Sequence, residues 1–393
     1  MNKVFITGAT GFIGSRLAEM ACEREIPVVA LVRTWSHAAR LSRLPASMAH
    51  GDVLNPDSLR TAMQGCDVVF HCAVDNTVGG PLHRRVSVEG TANVMQAALE
   101  TGVKRVVHLS SSAVFGYRPE PDAATEAGAY RYSGDDYCDG KIDAEKTALR
   151  YYREHALPVT VLRPTIVYGP FSFWDEDAVV AIRQGRMVLV DGAKGICNSL
   201  YVDNLVEAML LAAEHTEAVG EVFHISDAHP ITWKDFLEAH ARVLGDYYLP
   251  LPEMTAQEIA AIWVQQIKRS PSSLEQTLRL IRDPRARQAL RSIPMVARSL
   301  NAGKAVARAL LPKPMRRRMK QKLLGGTANA LSANGAQPAS IPVLSQTQAN
   351  MFATFDKVAF SIEKARRVLG YAPKFDFAAG MECTATWIKW ARL

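Results

Sequence analysis

The chain has no apolar run approaching the roughly 20 residues that cross a bilayer. Its N-terminus enters at once into the strand-like "KVFIT", without the charged-then-apolar pattern of an export signal. Cysteine is sparse and dispersed: Cys22, Cys66, Cys72, Cys138, Cys197 and Cys383 form no CxxC and have no neighbouring histidine pair. That argues against a disulfide framework and against a metal centre, and it suits a reducing cytoplasm. Acidic side chains are scarce in one place only. Between Lys268 and Lys322 there are 16 Lys or Arg and two acids, a local charge of +14. The remainder carries −7 beneath an overall +7, so basicity is confined to one segment and says nothing about polyanion binding by the body.

What is present is 393 residues, 48% hydrophobic and 22% charged, enough for a large core. Up to about Gly245, short apolar runs alternate with longer amphipathic stretches: "KVFIT" then "FIGSRLAEMACE", "IPVVALVR" then "SHAARLSRL", "DVVFHCA" then "VEGTANVMQAALETG". "VKRVVHLS", "LPVTVLRPTIV", "MVLV" and "GEVFHIS" continue the series. Runs apolar on both faces, separated by helical periods, predict an α/β fold with a doubly wound parallel (Rossmann) sheet covered on both sides. A smaller C-terminal substrate domain and a mainly helical basic insert complete the expected architecture. The division runs as a dinucleotide-binding domain over 1–170, with elements at 200–226 returning to it, and a substrate domain over 171–248 and 352–393. The basic insert covers 249–325, where strands disappear and prolines punctuate helices. The small, polar stretch 326–351 reads as a flexible linker. After it, a helix, a turn at Gly370–Pro373 and a last helix are expected.

"FITGATGFIGSRL" places Gly8, Gly11 and Gly14 between the first strand and first helix. One glycine turns tightly, one lets the backbone approach a pyrophosphate, and one lets helix and strand pack closely. The helix start then offers amides to the phosphates. Thr10, Phe12 and Ile13 share that turn. The second strand ends at Arg33, where a carboxylate would accept from ribose hydroxyls; a guanidinium instead pairs with a 2′-phosphate. This favours NADP while leaving NAD open, with Arg40 and Arg43 as nearby helpers.

"TGATGFIG", "GDVLN", "HCAV", "VKRVVHLSSSAVFG", "YCDGK", "LRPTIVYGP" and "VDNLVEAM" follow one another through residues 1–245, and "KARRVLGYAPKFDFAAGM" follows near the C-terminus. In order and spacing the chain resembles the extended short-chain dehydrogenase/reductases, the NAD(P)-dependent epimerase/dehydratase family. The insert has no part in the likeness. The resemblance implies cofactor contacts at Asp52 and Val53, Cys72 and Ala73, and Pro164.

Tyr137 and Lys141, in "DDYCDGK", lie one helical turn apart on one side of a helix. A phenol near pKa 10 is a poor base at neutral pH, and an adjacent ammonium favours its ionised form. Lys141 can also hold a nicotinamide ribose. The resemblance adds Ser111 as the hydroxyl that steadies a developing alkoxide, with Ser110 and Ser112 as neighbours. His108 reads as a packed core histidine. Two departures stand out. Sugar 4,6-dehydratases of the family carry Asp–Glu where this chain has Ser112 and Ala113, which disfavours dehydration. The family often has asparagine where this chain has Ser87.

These features predict hydride transfer to or from a secondary alcohol or ketone carbon. The extended family leans toward a nucleotide sugar and epimerisation. Arg33 leans toward an NADPH-dependent reductase of an apolar, steroid-like ketone, and the choice stays open. A non-enzymatic dinucleotide sensor fits less well, because it need not keep Ser–Tyr–Lys. Phe171, Phe173 and Trp174 are expected at the edge of the substrate cleft. The expected partner is a small-molecule substrate, with a homodimer left open. An anionic membrane surface is a further candidate through the basic amphipathic residues 290–325, which would put a cytoplasmic protein at the inner membrane face. Nucleic acid is disfavoured, since the insert lacks aromatic interleaving.

Overall fold

The computed structural model describes residues 1–74, 81–116, 119–259 and 358–393. Residues 290–325, read as a membrane-facing segment, and the linker 326–351 lie outside the described residues. Among those described, no helix is long and apolar enough to cross a membrane.

Seven strands form one sheet: β1 (Val4–Thr7), β2 (Val28–Val32), β3 (Ser47–His50), β4 (Val68–His71), β5 (Arg105–Leu109), β6 (Val159–Pro164) and β11 (Val222–Ile225). Their spatial order is β11-β6-β5-β4-β1-β2-β3, and every pairing is parallel. Runs of Val, Ile, Leu and Phe buried along their whole length explain why β1, β2, β4 and β5 sit inside. Helices α1 (Phe12–Glu23) and α7 (Val202–Glu214) cover one face, α1 lying over β1 and β2 with Leu17 and Ala21 buried, and α7 over β5 and β6 with Leu205 and Met209 buried. Helices α2 (Pro56–Met63), α4 (Gly90–Glu100) and α5 (Asp136–His155) cover the other through Leu59, Met63, Val94 and Ala148. From β1 the chain winds outward to β3, then returns to place β4 on the opposite side of β1. That reversal opens a crevice at the strand C-termini, where α/β sheets of this kind bind ligands.

Beyond β6 the chain builds a second layer. Strand β7 (Ile166–Tyr168) pairs with β10 (Ser199–Tyr201), and α6 (Phe173–Arg183) packs against α8 (Trp233–Leu244) around Trp233, Phe236 and Tyr168. Inside this layer His240 Nε2 lies 2.7 Å from Asp175, with both side chains fully buried. The C-terminal helices α9 (Glu363–Leu369) and α10 (Phe377–Ala391) occur as expected, with Gly370 in the left-handed region ending α9.

The "VDN" motif explains how the C-terminal segment is held. Asp203 pairs with Arg16 at 2.7 Å. Asn204 donates to Asp227 at 2.8 Å and to the Phe375 carbonyl at 2.7 Å, and it accepts from the amides of Lys374 and Phe375. One asparagine thus ties α7 to the Asp227 loop and to the returning chain. Three details differ from expectation. "SHAARLSRL" forms two short 3-10 turns, Trp35–His37 and Leu41–Arg43, rather than a helix. Polar "SMAH" is the edge strand β3, most of it exposed. The stretch after Leu249 is not wholly helical: β13 (Glu253–Met254) pairs with Leu189–Val190, a two-residue strand too short to show a period.

Candidate active site

The glycine turn stands at the C-terminal end of β1. Gly8 has φ +67°, and a Cβ there would come within 2.8 Å of the Cys72 and Ala73 backbone. A Cβ on Gly14 would collide with the Gly8 carbonyl. Gly11 caps α1 with no side chain, while its amide bonds the Gly8 carbonyl at 3.0 Å. The result is a bare backbone cradle at a helix start, which fits a pyrophosphate. Thr10, Phe12 and Ile13 are half-buried beside it. Cys72 and Ala73 form the next wall of the crevice, where burial pushes the Cys72 thiol up to about 12. Asp52 accepts from the Leu54 amide at 2.9 Å; Val53 is buried against Gly90, and its carbonyl accepts from Asn93 at 3.0 Å. Pro164 ends β6, buried.

Arg33 is exposed at the end of β2 and makes no ion pair among the described residues. Arg40 is committed elsewhere: it pairs with Glu19 at 2.7 Å and lies 4.0 Å over the Phe171 ring. Of the three expected cleft aromatics, Phe171 is taken up by Arg40 and Trp387, and Trp174 packs on Trp233. Phe173 keeps its ring largely exposed.

The Ser–Tyr–Lys set converges where β5 meets α5. Ser111 caps the 3-10 turn Ser112–Phe115, accepting from the Ala113 amide at 3.1 Å, and its hydroxyl lies close enough to Tyr137 to act on the phenol. Asp135 caps α5, accepting from the amides of Tyr137 and Cys138, and so fixes the turn that presents the phenol. Lys141 is buried; its ammonium donates to the Leu109 carbonyl at 2.9 Å and lies 6.0 Å from the Tyr137 ring centre. Burial lowers Lys141 to about 8. Desolvation of the phenol raises Tyr137, and the group opposing that rise is Ser111 rather than Lys141. In this arrangement the ammonium is turned to a backbone carbonyl rather than to the phenol.

Ser110 is separated from Ser111 by its partner. Its hydroxyl donates to Glu145 at 2.5 Å, inside a buried network where Glu145 also accepts from Tyr130 at 2.7 Å and Arg163 at 2.6 Å. Sequence reading missed this network, although Glu145 follows Lys141 by one helical turn on the same face. His108 is buried as expected, its ring tilted against His71 at 5.3 Å, and neither ring nitrogen has a hydrogen-bond partner among the described residues; burial holds it neutral. His83, buried beside the Tyr137 ring at 5.8 Å, was also missed. Ser87 lies in a π-turn (Arg85–Glu89) against Gly140, its hydroxyl without a hydrogen-bond partner among the described residues. No cluster able to hold a metal occurs among the described residues.

Residues 4–226 match the NAD dependent epimerase/dehydratase family. The chain belongs to that family. As a member it is an NAD(P)-dependent enzyme of the extended short-chain dehydrogenase/reductase type. A 4-hydroxy-2-methyl-3-oxo-4-farnesyl-3,4-dihydroquinoline-1-oxide ketoreductase of Stigmatella aurantiaca is 32% identical over 246 residues, 60% of this chain and 71% of that one. A UDP-glucose 4-epimerase of Vibrio cholerae is 27% identical over 64% of this chain and 79% of its own. The UDP-glucose 4-epimerase structure from Thermotoga maritima superposes with a TM-score of 0.66 over all of both chains, at 16% identity, a likeness of fold. The family thus spans ketone reduction and sugar epimerisation on one framework, acting on small molecules.

Proposed function

We propose that the protein is an NADPH-dependent reductase of a ketone carried on a largely apolar molecule. The observation that carries this reading is the convergence of Ser111, Tyr137 and Lys141 where β5 meets α5, with desolvation raising the phenol so that it stays protonated. A protonated phenol beside a serine hydroxyl is set to give a proton to a carbonyl oxygen. Ser111 orients that oxygen, and Tyr137 delivers the proton as the alkoxide develops. The bound dinucleotide supplies the hydride. Lys141, near neutrality in its buried site, can return a proton to the phenol between turnovers, and its position one turn along α5 suits a ribose contact. Gly8, Gly11 and Gly14 seat the pyrophosphate, with Thr10, Phe12, Ile13, Asp52, Val53, Cys72, Ala73 and Pro164 forming the walls. Arg33, exposed and unpaired, is the group for a 2′-phosphate. Likeness to a farnesyl-quinoline ketoreductase supports the apolar ketone.

A second reading, epimerisation of a nucleotide sugar, is favoured by the likeness to a UDP-glucose 4-epimerase over nearly two-thirds of the chain. In that case Tyr137 first accepts the proton and later returns it. One experiment separates the two. Purified protein is denatured to release any retained dinucleotide, and separately offered NADPH with prenylated or steroid-like ketones. An empty protein that consumes NADPH supports the reductase. Tightly held dinucleotide with no net consumption overturns it in favour of the epimerase. Arg33→Ala should weaken NADPH binding by roughly 1.5–3 kcal/mol, the range of a charge-assisted contact, and leave NADH nearly unchanged. Equal losses for both would remove the NADP preference.

A further inference from the structure

We propose that His71 is a positioning residue that couples the glycine turn of the cofactor site to the turn supporting the Tyr137 helix, through Thr7 on one side and Thr91 on the other. The inference rests on the dinucleotide reading above. Thr7 is the last residue of β1, immediately before Gly8, and pairs in register with His71 on β4. Its hydroxyl accepts from the Ala73 amide at 3.2 Å and meets His71 Nδ1 at 2.8 Å. On the far side His71 Nε2 meets the Thr91 hydroxyl at 3.0 Å, and Thr91 in turn lies 2.6 Å from the Ser87 carbonyl.

The chain has one direction. A carbonyl only accepts, so Thr91 donates to Ser87 and must accept from His71 Nε2–H. Burial holds His71 neutral, so with its proton on Nε2 its Nδ1 accepts a hydrogen bond from the Thr7 hydroxyl. In donor-to-acceptor order the links run from the Ala73 amide to Thr7, from Thr7 to His71 Nδ1, from His71 Nε2–H to Thr91, and from Thr91 to the Ser87 carbonyl, each hydroxyl donating once. Thr7, His71 and Thr91 are all at most 2% exposed, so no water replaces a lost link without rearrangement.

Both ends of the chain touch the site. Ala73 and Cys72 press against Gly8 so closely that a Cβ there would stand 2.8 Å from them. Ser87 and His83 press against Gly140, between Tyr137 and Lys141 on α5, where a Cβ would stand 3.5 Å from Ser87 Cβ. The same turn continues into Gly90, packed on Val53, and Asn93, bonded to the Val53 carbonyl. A shift at Thr91 therefore reaches the glycine turn, the Asp52–Val53 loop and the catalytic helix together.

The test uses isosteric variants of the full-length protein, with NADPH as the probe. Thr91→Val removes the hydroxyl link and keeps the shape; Thr91→Ser keeps the link. NADPH affinity is measured for wild type, Thr7→Val, Thr91→Val, Thr91→Ser and the Thr7→Val/Thr91→Val pair. Thr91→Val should weaken NADPH roughly three- to tenfold, Thr91→Ser should restore it, and the double variant should be no weaker than the worse single. A Thr91→Val affinity within about twofold of wild type, or losses that multiply in the double variant, would overturn the proposal. Amide hydrogen exchange of the peptide covering residues 4–14 gives a readout free of ligand: faster exchange in Thr91→Val supports the coupling, and unchanged exchange overturns it. Wild-type protein that binds neither NADPH nor NADH would instead refute the functional reading, and the exchange result would still decide this one.

Discussion

Two successive turns of α5 treat their polar groups in opposite ways. At Lys141 a buried ammonium has one backbone acceptor, the neighbouring Tyr137 is pushed up by desolvation, and the ring nitrogens of nearby His108 have no hydrogen-bond partner among the described residues. At Glu145, four residues on, the carboxylate accepts from Ser110, Tyr130 and Arg163, and Arg163 also reaches the Glu126 carbonyl. The saturated turn is a brace: it clamps α5 to β5, β6 and the segment that carries Tyr130. The under-satisfied turn is where a ligand's groups can complete the hydrogen bonding. Buried polar groups left partly unpaired are costly, and proteins tend to keep them where function needs them. The brace also sorts the serines, taking Ser110 inward and leaving Ser111 for Tyr137.

The sharpest way to break this contrast is at the brace. Glu145→Ala leaves the Arg163 guanidinium, 3% exposed at its side chain, without its partner. Losing one member of a buried pair typically costs about 3–5 kcal/mol, which denaturant unfolding should register as a large fall in midpoint at unchanged slope. A loss below about 1 kcal/mol would show that the network is not holding the helix.

At the open turn, the expected damage is to rate and not to folding. Tyr137→Phe should lower turnover at least about 100-fold, near 2.7 kcal/mol in barrier, with NADPH affinity and unfolding midpoint close to wild type. Retention of more than about a tenth of the activity would remove Tyr137 from the proposed role.

The smallest expected effect is a dependence on pH. Folding depresses Lys141 to about 8, so between about 8 and its ordinary value near 10.5 the unfolded chain binds the extra proton. Stability from this group therefore rises with pH across that window, and below it the buried ammonium is a standing cost. Lys141→Met should be more stable than wild type at pH 7, by on the order of 1 kcal/mol, and the gap should narrow as pH climbs past about 8. A gap that stays constant with pH would mean that the ammonium is not penalised by its site. Turnover in that variant should be lost even as the fold gains.

The sequence by itself determined what depends on neighbours in the chain. A glycine every third residue after a short apolar strand calls for a tight turn into a helix, and Gly8 and Gly14 stand where only backbone fits. Tyr137 and Lys141, a turn apart behind the Asp135 cap, share a helix face wherever that helix packs. Alternation of buried strands with amphipathic helices was enough for a doubly wound sheet, and Gly370 was enough to end α9. Tertiary structure decided what depends on partners far along the chain. Polar "SMAH" became a strand because β2 offered it an open edge, and Glu253–Met254 because Leu189–Val190 did. Ser111 was separated from Ser110 by a carboxylate 35 residues away. Lys141 was turned from the phenol by the carbonyl of Leu109, and Asn204 became the tie between residues 227 and 375. Such contacts leave no period in the sequence, because a hydrogen bond across the fold depends on where two segments meet and not on the distance between them along the chain.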